Sequence, residues 1–353
     1  MLEPLYSEPK YDNPYKPVTV QKLDAAVYYR PKKGGLSFSS IAEHHLKHLQ
    51  GLAVEADLDQ LIRGVTKPSK VAIIHPTFYP ICSNPMLINI LRRDHDTIIG
   101  VDVADSDAIS PKAVEAANKL DLIIVPSECS RQAYRKSGVK TQIEVIPHGL
   151  SEAFYQPPRV KREPAILFFN LHSDYRKGGD IIRYVAKKLL EERPHVKIKA
   201  RATDANYPPN VTVIREWISE QQLVDLYDSC SILLAPSRGG GFESNVLEAL
   251  ARGLVVITSD WAAIQEYAAP HVLTAKTKTP TKPLPNNPIH IGYGANPDPE
   301  EVYNLTLHAL DHLDELLAKA KKAAKQIKAK HPWSKTLRRF RKILEEKLGE
   351  TGK

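Results

Sequence analysis

The feature that most constrains the fold of this chain is a strand, loop, helix and second strand within about 30 residues. The run SILLAP, residues 231–236, is almost continuously apolar and ends at a proline, as is typical of a buried strand. A glycine-rich loop follows, then apolar residues at helical spacing that stop at Gly253, and then the apolar run LVVITSD. A unit of this kind places its two strands parallel in one sheet.

The same alternation recurs along most of the chain. Apolar runs predict strands at residues 25–31, 71–75, 97–103, 121–127, 143–149, 165–171, 196–200 and 211–215. Helical patterns lie at 38–49, 111–120, 180–192 and 221–229. Strands that alternate with helices specify a parallel sheet covered on both faces, so we predict an α/β fold.

The length of 353 residues favours two domains of roughly 150 residues each. Prolines and charges interrupt the pattern at residues 155–164, which we predict to be the linker. We therefore divide the chain into an extended arm (1–22), a first domain (23–155), a second domain (160–331) and a final helical segment (332–353). Residues 276–299 are rich in proline and predict an irregular loop.

Composition excludes several classes of protein. The chain is 42% hydrophobic and 25% charged, and it contains no apolar run of the ~18 residues that a membrane span needs. Its N-terminal sequence is too polar for a signal peptide. Cys82, Cys129 and Cys230 lie far apart without metal-ligand spacing, so we predict a reduced, cytoplasmic protein without a metal site.

The net charge of +8 comes largely from a basic, amphipathic helical pattern at residues 318–353. Such a face is either simply solvated or attracted to anionic lipid head groups or an anionic substrate. Peripheral contact with the inner face of the membrane is therefore one prediction for this segment. No zinc-finger or RNP-type signature accompanies the charge, so we predict no nucleic-acid partner.

The glycine run that includes Gly241 has a chemical consequence of its own. Glycines between a strand and a helix let backbone amides approach a ligand, and the helix N-terminus adds partial positive charge. This arrangement suits a phosphate, although a tight turn in an ordinary α/β domain would look similar. The stretch matches neither the dinucleotide fingerprint G-x-G-x-x-G nor the P-loop.

Several spaced stretches together resemble the family 4 retaining glycosyltransferases, which have the GT-B fold. They are LFFNLHSDYRKGGD (167–180), GFESNVLEALARGLVVITSD (241–260), PWSKTLRRFRKIL (332–344) and LDLIIVPSECSRQAYRKSGVKTQIEVIPHGL (120–150), within about residues 25–345. The resemblance implies two Rossmann-like domains that face each other across a cleft. The first domain would bind the acceptor, the second would bind a nucleotide-sugar, and the last helix would cross back to the first domain.

The resemblance also implies roles for particular residues. Glu248 matches a glutamate that accepts hydrogen bonds from the ribose hydroxyls, and Lys177 matches a lysine that contacts the diphosphate, with Arg176 beside it. Backbone groups that approach the donor phosphates match Gly34, Gly35, Ser244 and Asn245.

The chain departs from the family pattern at three places. The first glutamate of the family's acid pair falls on Gly240, and we predict that Glu243 takes over its contact with the sugar. An arginine that is common in the family about six residues before the lysine is replaced by Leu171. Where many relatives carry a catalytic-site histidine, this chain has Asp102 and Asp105, and we predict Asp102 as catalytic together with Lys177 and Glu243.

The expected reaction is transfer of a sugar from a UDP- or GDP-linked donor to an acceptor hydroxyl, with retention and without a metal or other cofactor. The acceptor, a glycan, lipid or protein, stays open. The alternative is a non-catalytic module that binds a nucleotide-sugar, which the departures at Gly240 and Leu171 favour.

Overall fold

The computed structural model describes residues 22–32, 36–203 and 206–349, and these form two α/β halves. The predicted arm, apart from Lys22, and the predicted phosphate-binding residues Gly34 and Gly35 lie outside the described residues.

Six strands of the described residues form the first sheet. They are β1 (Ala26–Arg30), β2 (Ala53–Asp57), β3 (Ser69–Ile74), β4 (His95–Val101), β5 (Leu122–Val125) and β6 (Gln142–Val145). All pairings are parallel, in the order β2-β1-β3-β4-β5-β6. The helices of this half are α1 (Leu36–His48), α2 (Leu58–Ile62), α3 (Phe78–Ser83), α4 (Leu87–Asp94), α5 (Pro111–Ala117) and α6 (Glu128–Ser137).

A second parallel sheet of six strands follows within the described part of the chain. Its strands are β7 (Ile166–Asn170), β8 (Ile198–Ala202), β9 (Val211–Ile214), β10 (Ile232–Ala235), β11 (Val255–Ser259) and β12 (Leu273–Ala275). Their order is β12-β11-β10-β7-β8-β9. The helices that begin in this half are α7 (Asp174–Lys177), α8 (Gly179–Glu192), α9 (Glu220–Asp228), α10 (Ser244–Ala251), α11 (Ala262–Ala268), α12 (Pro299–Asp311) and α13 (Leu313–Lys330).

β5 and β10 are apolar along their whole length, as expected for strands of a parallel sheet that helices cover on both faces. Every residue of β5 and β10 is buried. This arrangement confirms the predicted α/β fold class. The sequence pattern missed β2 and the short helices α2, α3 and α4, whose runs are too brief to show a clear period.

The C-terminal helices return to the first half of the molecule. After α13 the chain breaks at His331 and Pro332, then forms α14 (Trp333–Thr336) and α15 (Arg338–Gly349). Trp333 and Phe340 are buried in one apolar cluster with Tyr28 of β1. The break predicted at this position therefore lets the last helices pack on the first sheet.

Residues 276–297, which we call the strap, are a further connection between the two halves. The strap leaves the second sheet after β12 and pairs with the segment that follows β4. The Ser110 N–H donates to the Ile289 carbonyl at 2.8 Å, and the Asp107 N–H donates to the Tyr293 carbonyl at 2.9 Å. Ile289 is 1% exposed and packs in the core of the first half. The sequence predicted an irregular loop here but not its crossing.

Candidate active site

The glycine loop lies between β10 and α10 and has an unusual backbone at Gly240. Its φ of +151° is a conformation that side chains disfavour. A Cβ atom on Gly240 would overlap with Oε1 of Glu243. The carboxylate of Glu243 therefore occupies the space that the first carbon atom of a side chain at position 240 would need.

Two cations hold the buried carboxylate of Glu243. Lys177 Nζ donates to Glu243 Oε2 at 2.5 Å, and Arg176 Nη1 lies 3.5 Å from Glu243 Oε1. Arg176 also donates to the Gly239 carbonyl at 3.0 Å, and its buried Nε has no hydrogen-bond partner in the described part of the chain. Burial lowers the pKa of Lys177, and the Glu243 charge opposes that shift. The pair of cations lies at the C-terminal end of α7, directly against the glycine loop.

Asp105 joins this cluster from the first half of the molecule. Its Oδ1 accepts the Gly241 N–H at 3.2 Å and lies 3.8 Å from Arg176 Nη1. Its own N–H donates to Nδ1 of His290, a buried residue of the strap, at 3.3 Å. Burial raises the pKa of Asp105, but Arg176, His290 and Lys177 outweigh it, so the net shift is downward. The carboxylate is therefore charged at neutral pH.

Asp102, which the sequence suggested as catalytic, has a different environment. It is 2% exposed, and its Oδ2 accepts the backbone N–H groups of Thr77 and Phe78 at 2.8 and 2.7 Å. Its Oδ1 accepts the Val103 N–H at 2.8 Å. Burial raises the pKa of Asp102 to about 6, against these hydrogen bonds. This geometry gives Asp102 a structural role at the start of α3, and nothing in it supports the catalytic assignment, which stays a prediction.

Glu248 lies in the second turn of α10. Its Oε2 accepts a hydrogen bond from the Tyr227 hydroxyl at 2.6 Å, and burial raises its pKa to about 7. In the first turn of the same helix, the Ser244 hydroxyl lies 3.3 Å from Nδ1 of His148, which the first half contributes. Asn245 is partly buried beside it. Residues of both halves thus meet along the N-terminal end of α10.

The structure brings most of the predicted residues together. Arg176, Lys177, Gly241 and Glu243 form one cluster, and Ser244, Asn245 and Glu248 follow on α10. Asp105 joins this cluster, whereas Asp102 lies apart from it at the start of α3. The sequence did not single out Asp105 for this position, because both acids lie at the end of the same predicted strand.

Two further findings concern metal-binding clusters and membrane-spanning helices. Within residues 22–32, 36–203 and 206–349, no three His, Cys, Asp or Glu side chains converge in a way that would hold a metal ion. In the same ranges, no helix is both long enough and apolar enough to cross a membrane.

Comparison with known proteins places this geometry in a wider group. Residues 186–281 match the family model described as Glycosyl transferases group 1. The structure is similar to that of Anabaena HepE in complex with UDP-glucose, with a TM-score of 0.66 and 14% identity. That match covers 91% of this chain and 99% of HepE. The chain has the GT-B fold.

Two viral relatives extend the likeness of this GT-B chain. It is 28% identical over 321 residues to protein 356 of Sulfolobus islandicus rod-shaped virus 1, which covers 83% of this chain and 90% of the relative. It is 32% identical over 225 residues to a protein provisionally named glycosyltransferase 45 from Sulfolobus islandicus filamentous virus. That match spans 61% of this chain and 64% of the relative. Together with the group 1 domain, these findings support a transferase.

Proposed function

We propose that this chain transfers a glycosyl group from a nucleoside diphosphate sugar to an acceptor hydroxyl, with retention and without a metal ion. One observation carries the proposal: two adjacent cations, the buried Arg176 and the mostly buried Lys177, lie against a glycine loop and the N-terminal end of α10. Cations and free backbone N–H groups in a site with little water are suited to a diphosphate.

The chemistry follows from the charges. When the bond between the sugar and the diphosphate breaks, negative charge grows on the leaving phosphate, and Lys177 and Arg176 stabilise it. These side chains supply the positive charge that a metal ion would otherwise bring. Glu243 keeps the cations paired and oriented until the donor arrives. Retention follows from the resemblance to family 4.

The remaining parts of the substrate fit the surroundings of this cluster. Glu248, one to two turns along α10, is the acceptor for the ribose hydroxyls. The complex of HepE with UDP-glucose supports a nucleotide-sugar as the donor class. The donor is linked to UDP or GDP, as the resemblance to family 4 implies. The acceptor is a glycan, lipid or protein approached from the first half. Contact of the basic C-terminal helices with the inner face of the membrane, and a cytoplasmic location, stay predictions.

Release of nucleoside diphosphate from a set of UDP- and GDP-sugars tests the proposal. Lys177→Ala should reduce turnover more than it weakens donor binding, because its charge matters most in the transition state. Lys187→Ala, an exposed lysine of the same half, is the matched control and should change neither. Equal losses of turnover and binding in Lys177→Ala would make Lys177 a binding residue only.

Glu243→Gln keeps the shape of the side chain and removes its charge. It should lower turnover, because Lys177 and Arg176 lose the charged partner that orients them. Binding of the bare nucleoside diphosphate should not weaken, because both cations remain. Unchanged turnover would exclude Glu243 from the reaction.

The second candidate is a non-catalytic module that binds a nucleotide-sugar. Two positions favour it: the family that the chain resembles carries a glutamate where this chain has Gly240, and commonly an arginine where it has Leu171. Binding of a nucleotide-sugar without any release or transfer, across the whole donor set, would decide for this candidate.

A further inference from the structure

Among the described residues, the second half of the molecule offers no free carboxylate beside the glycine loop. Gly240 has no side chain, and the carboxylate of Glu243 occupies the adjoining space. Both oxygens of that carboxylate face cations, Oε2 at 2.5 Å from Lys177 and Oε1 at 3.5 Å from Arg176. A sugar hydroxyl would therefore compete with two charged donors for Glu243.

Asp105 is the acid in this cluster that has an oxygen to spare. Its Oδ1 accepts the Gly241 N–H, whereas its Oδ2 accepts no hydrogen bond from the part of the chain that the structure describes. The side chain is 18% exposed, so it is not closed off from a ligand. Arg176 and Lys177 keep the carboxylate charged, which makes it a strong acceptor for hydroxyl groups.

The second half of the molecule holds Asp105 in place. His290 of the strap accepts its N–H, and the neighbouring Ser106 hydroxyl accepts the Gly292 N–H at 3.1 Å. A Cβ atom on Gly239 would overlap with the Asp105 carbonyl, so this close approach of the two backbones requires glycine. A carboxylate fixed on both sides is ready to bind before the substrate arrives.

We propose that Asp105 is a substrate-binding residue that accepts hydrogen bonds from hydroxyls of the transferred sugar. It takes this role from the first half of the molecule, in place of an acid at position 240. The inference rests on the proposed function. Because the carboxylate is charged, it favours neutral sugars and disfavours sugars that carry their own carboxylate.

Equilibrium binding separates contact with the sugar from contact with the nucleotide. The dissociation constants of UDP and UDP-glucose, and of GDP and GDP-mannose, are measured by calorimetry for the parent protein and for Asp105→Asn. The preference for the nucleotide-sugar is the dissociation constant of the bare nucleotide divided by that of the nucleotide-sugar. This ratio should fall roughly tenfold in the variant, as expected for the loss of a hydrogen bond to a charged group. Binding of the bare nucleotide should stay the same or tighten.

Two further variants complete the design. Asp96→Asn is the matched control, because Asp96 is an exposed acid of the first half paired with Lys22, and it should keep the preference. Asp105→Glu keeps the charge and should retain part of the preference.

A donor whose sugar carries a carboxylate tests the expected charge selectivity. In the parent, UDP-glucuronate should bind more weakly than UDP-glucose, and the difference between their dissociation constants should be smaller in Asp105→Asn.

The results distinguish failure of this inference from failure of the proposed function. An unchanged preference in Asp105→Asn, or equal weakening of nucleotide and nucleotide-sugar, would overturn the role of Asp105 while leaving the donor site intact. If the parent binds none of these nucleotides, the proposed function falls and the role of Asp105 falls with it.

Discussion

Three carboxyl groups of the candidate site and its surroundings differ in pKa because their neighbours differ. Cations surround Asp105 and lower its pKa, whereas burial raises the pKa of Asp102 to about 6 and that of Glu248 to about 7. Residue type alone therefore did not tell that the carboxyl group of Glu248 titrates near neutral pH. The neighbours of each side chain decide it.

Glu248 gives a prediction with a defined dependence on pH. Glu248→Ala should weaken nucleoside diphosphate binding by roughly 10- to 150-fold, the equivalent of about 1.5–3 kcal/mol for hydrogen bonds to a charged acceptor. Only the ionised carboxylate accepts hydrogen bonds at both oxygens, so affinity should rise as the pH increases through about 7. Calorimetry between pH 5.5 and 8.5 measures both effects.

The control for this pH dependence is Glu248→Gln, because the terminal phosphate of the nucleotide titrates in the same range. The difference between parent and variant isolates Glu248. The raised pKa also means that the neutral form stabilises the fold, and this stabilisation is lost as the pH rises from about 5 through about 7. If the affinity for nucleoside diphosphate depends on pH in the same way in the parent and in Glu248→Gln, Glu248 does not bind the ribose hydroxyls.

The strap shows how one element can join two domains. Its residues have no regular period, yet its backbone pairs with the segment after β4, and Ile289 anchors it in the core of the first half. An apolar side chain that is 1% exposed contributes through burial and close packing. The strap therefore attaches the second half to the segment that carries Asp105.

Ile289→Ala should loosen the strap. Removal of a buried isoleucine side chain typically costs about 2–5 kcal/mol, and here the loss falls on the attachment of the strap. Hydrogen exchange should accelerate at Asp107 and Ser110, whose N–H groups donate to the strap. Ile291→Ala is the matched control, since Ile291 is 42% exposed on the same element. Equal exchange in both variants would show that Ile289 does not anchor the strap.

Contacts between residues that are far apart in the sequence join the two halves of the molecule. Glu266 of α11 accepts the N–H groups of Glu128 and Cys129 at the start of α6, at 2.8 and 2.5 Å. Phe340, although it follows the second half in the chain, is fully buried under the first sheet. The first half thus depends on the last residues of the described chain for part of its core.

Phe340→Ala should lower the free energy of unfolding by about 3–5 kcal/mol, because it leaves a cavity beneath the first sheet. Chemical denaturation measures the change. Trp217→Ala serves as the control, because Trp217 is 76% exposed and its loss should stay within about 0.5 kcal/mol. A small effect of Phe340→Ala would mean that the last helix is only loosely attached.

The sequence by itself determined the two parallel α/β halves, the glycine loop before α10 and the break at His331 and Pro332. It also indicated the cation pair and Glu248 as candidates. These features depend on the period of apolar residues or on motifs of adjacent residues, so they can be recognised locally. Helix bounds were less certain: the helix predicted at 38–49 is Leu36–His48.

Only the tertiary structure decided which side chains share the site. Glu243 fills the space beside Gly240, Asp105 rather than Asp102 reaches the glycine loop, and the strap holds it there. Asp105 and Gly241 are far apart in the sequence, and Asp105 and His290 still farther. Contacts over such separations arise from the packing of two domains against each other, which no local pattern of residues records.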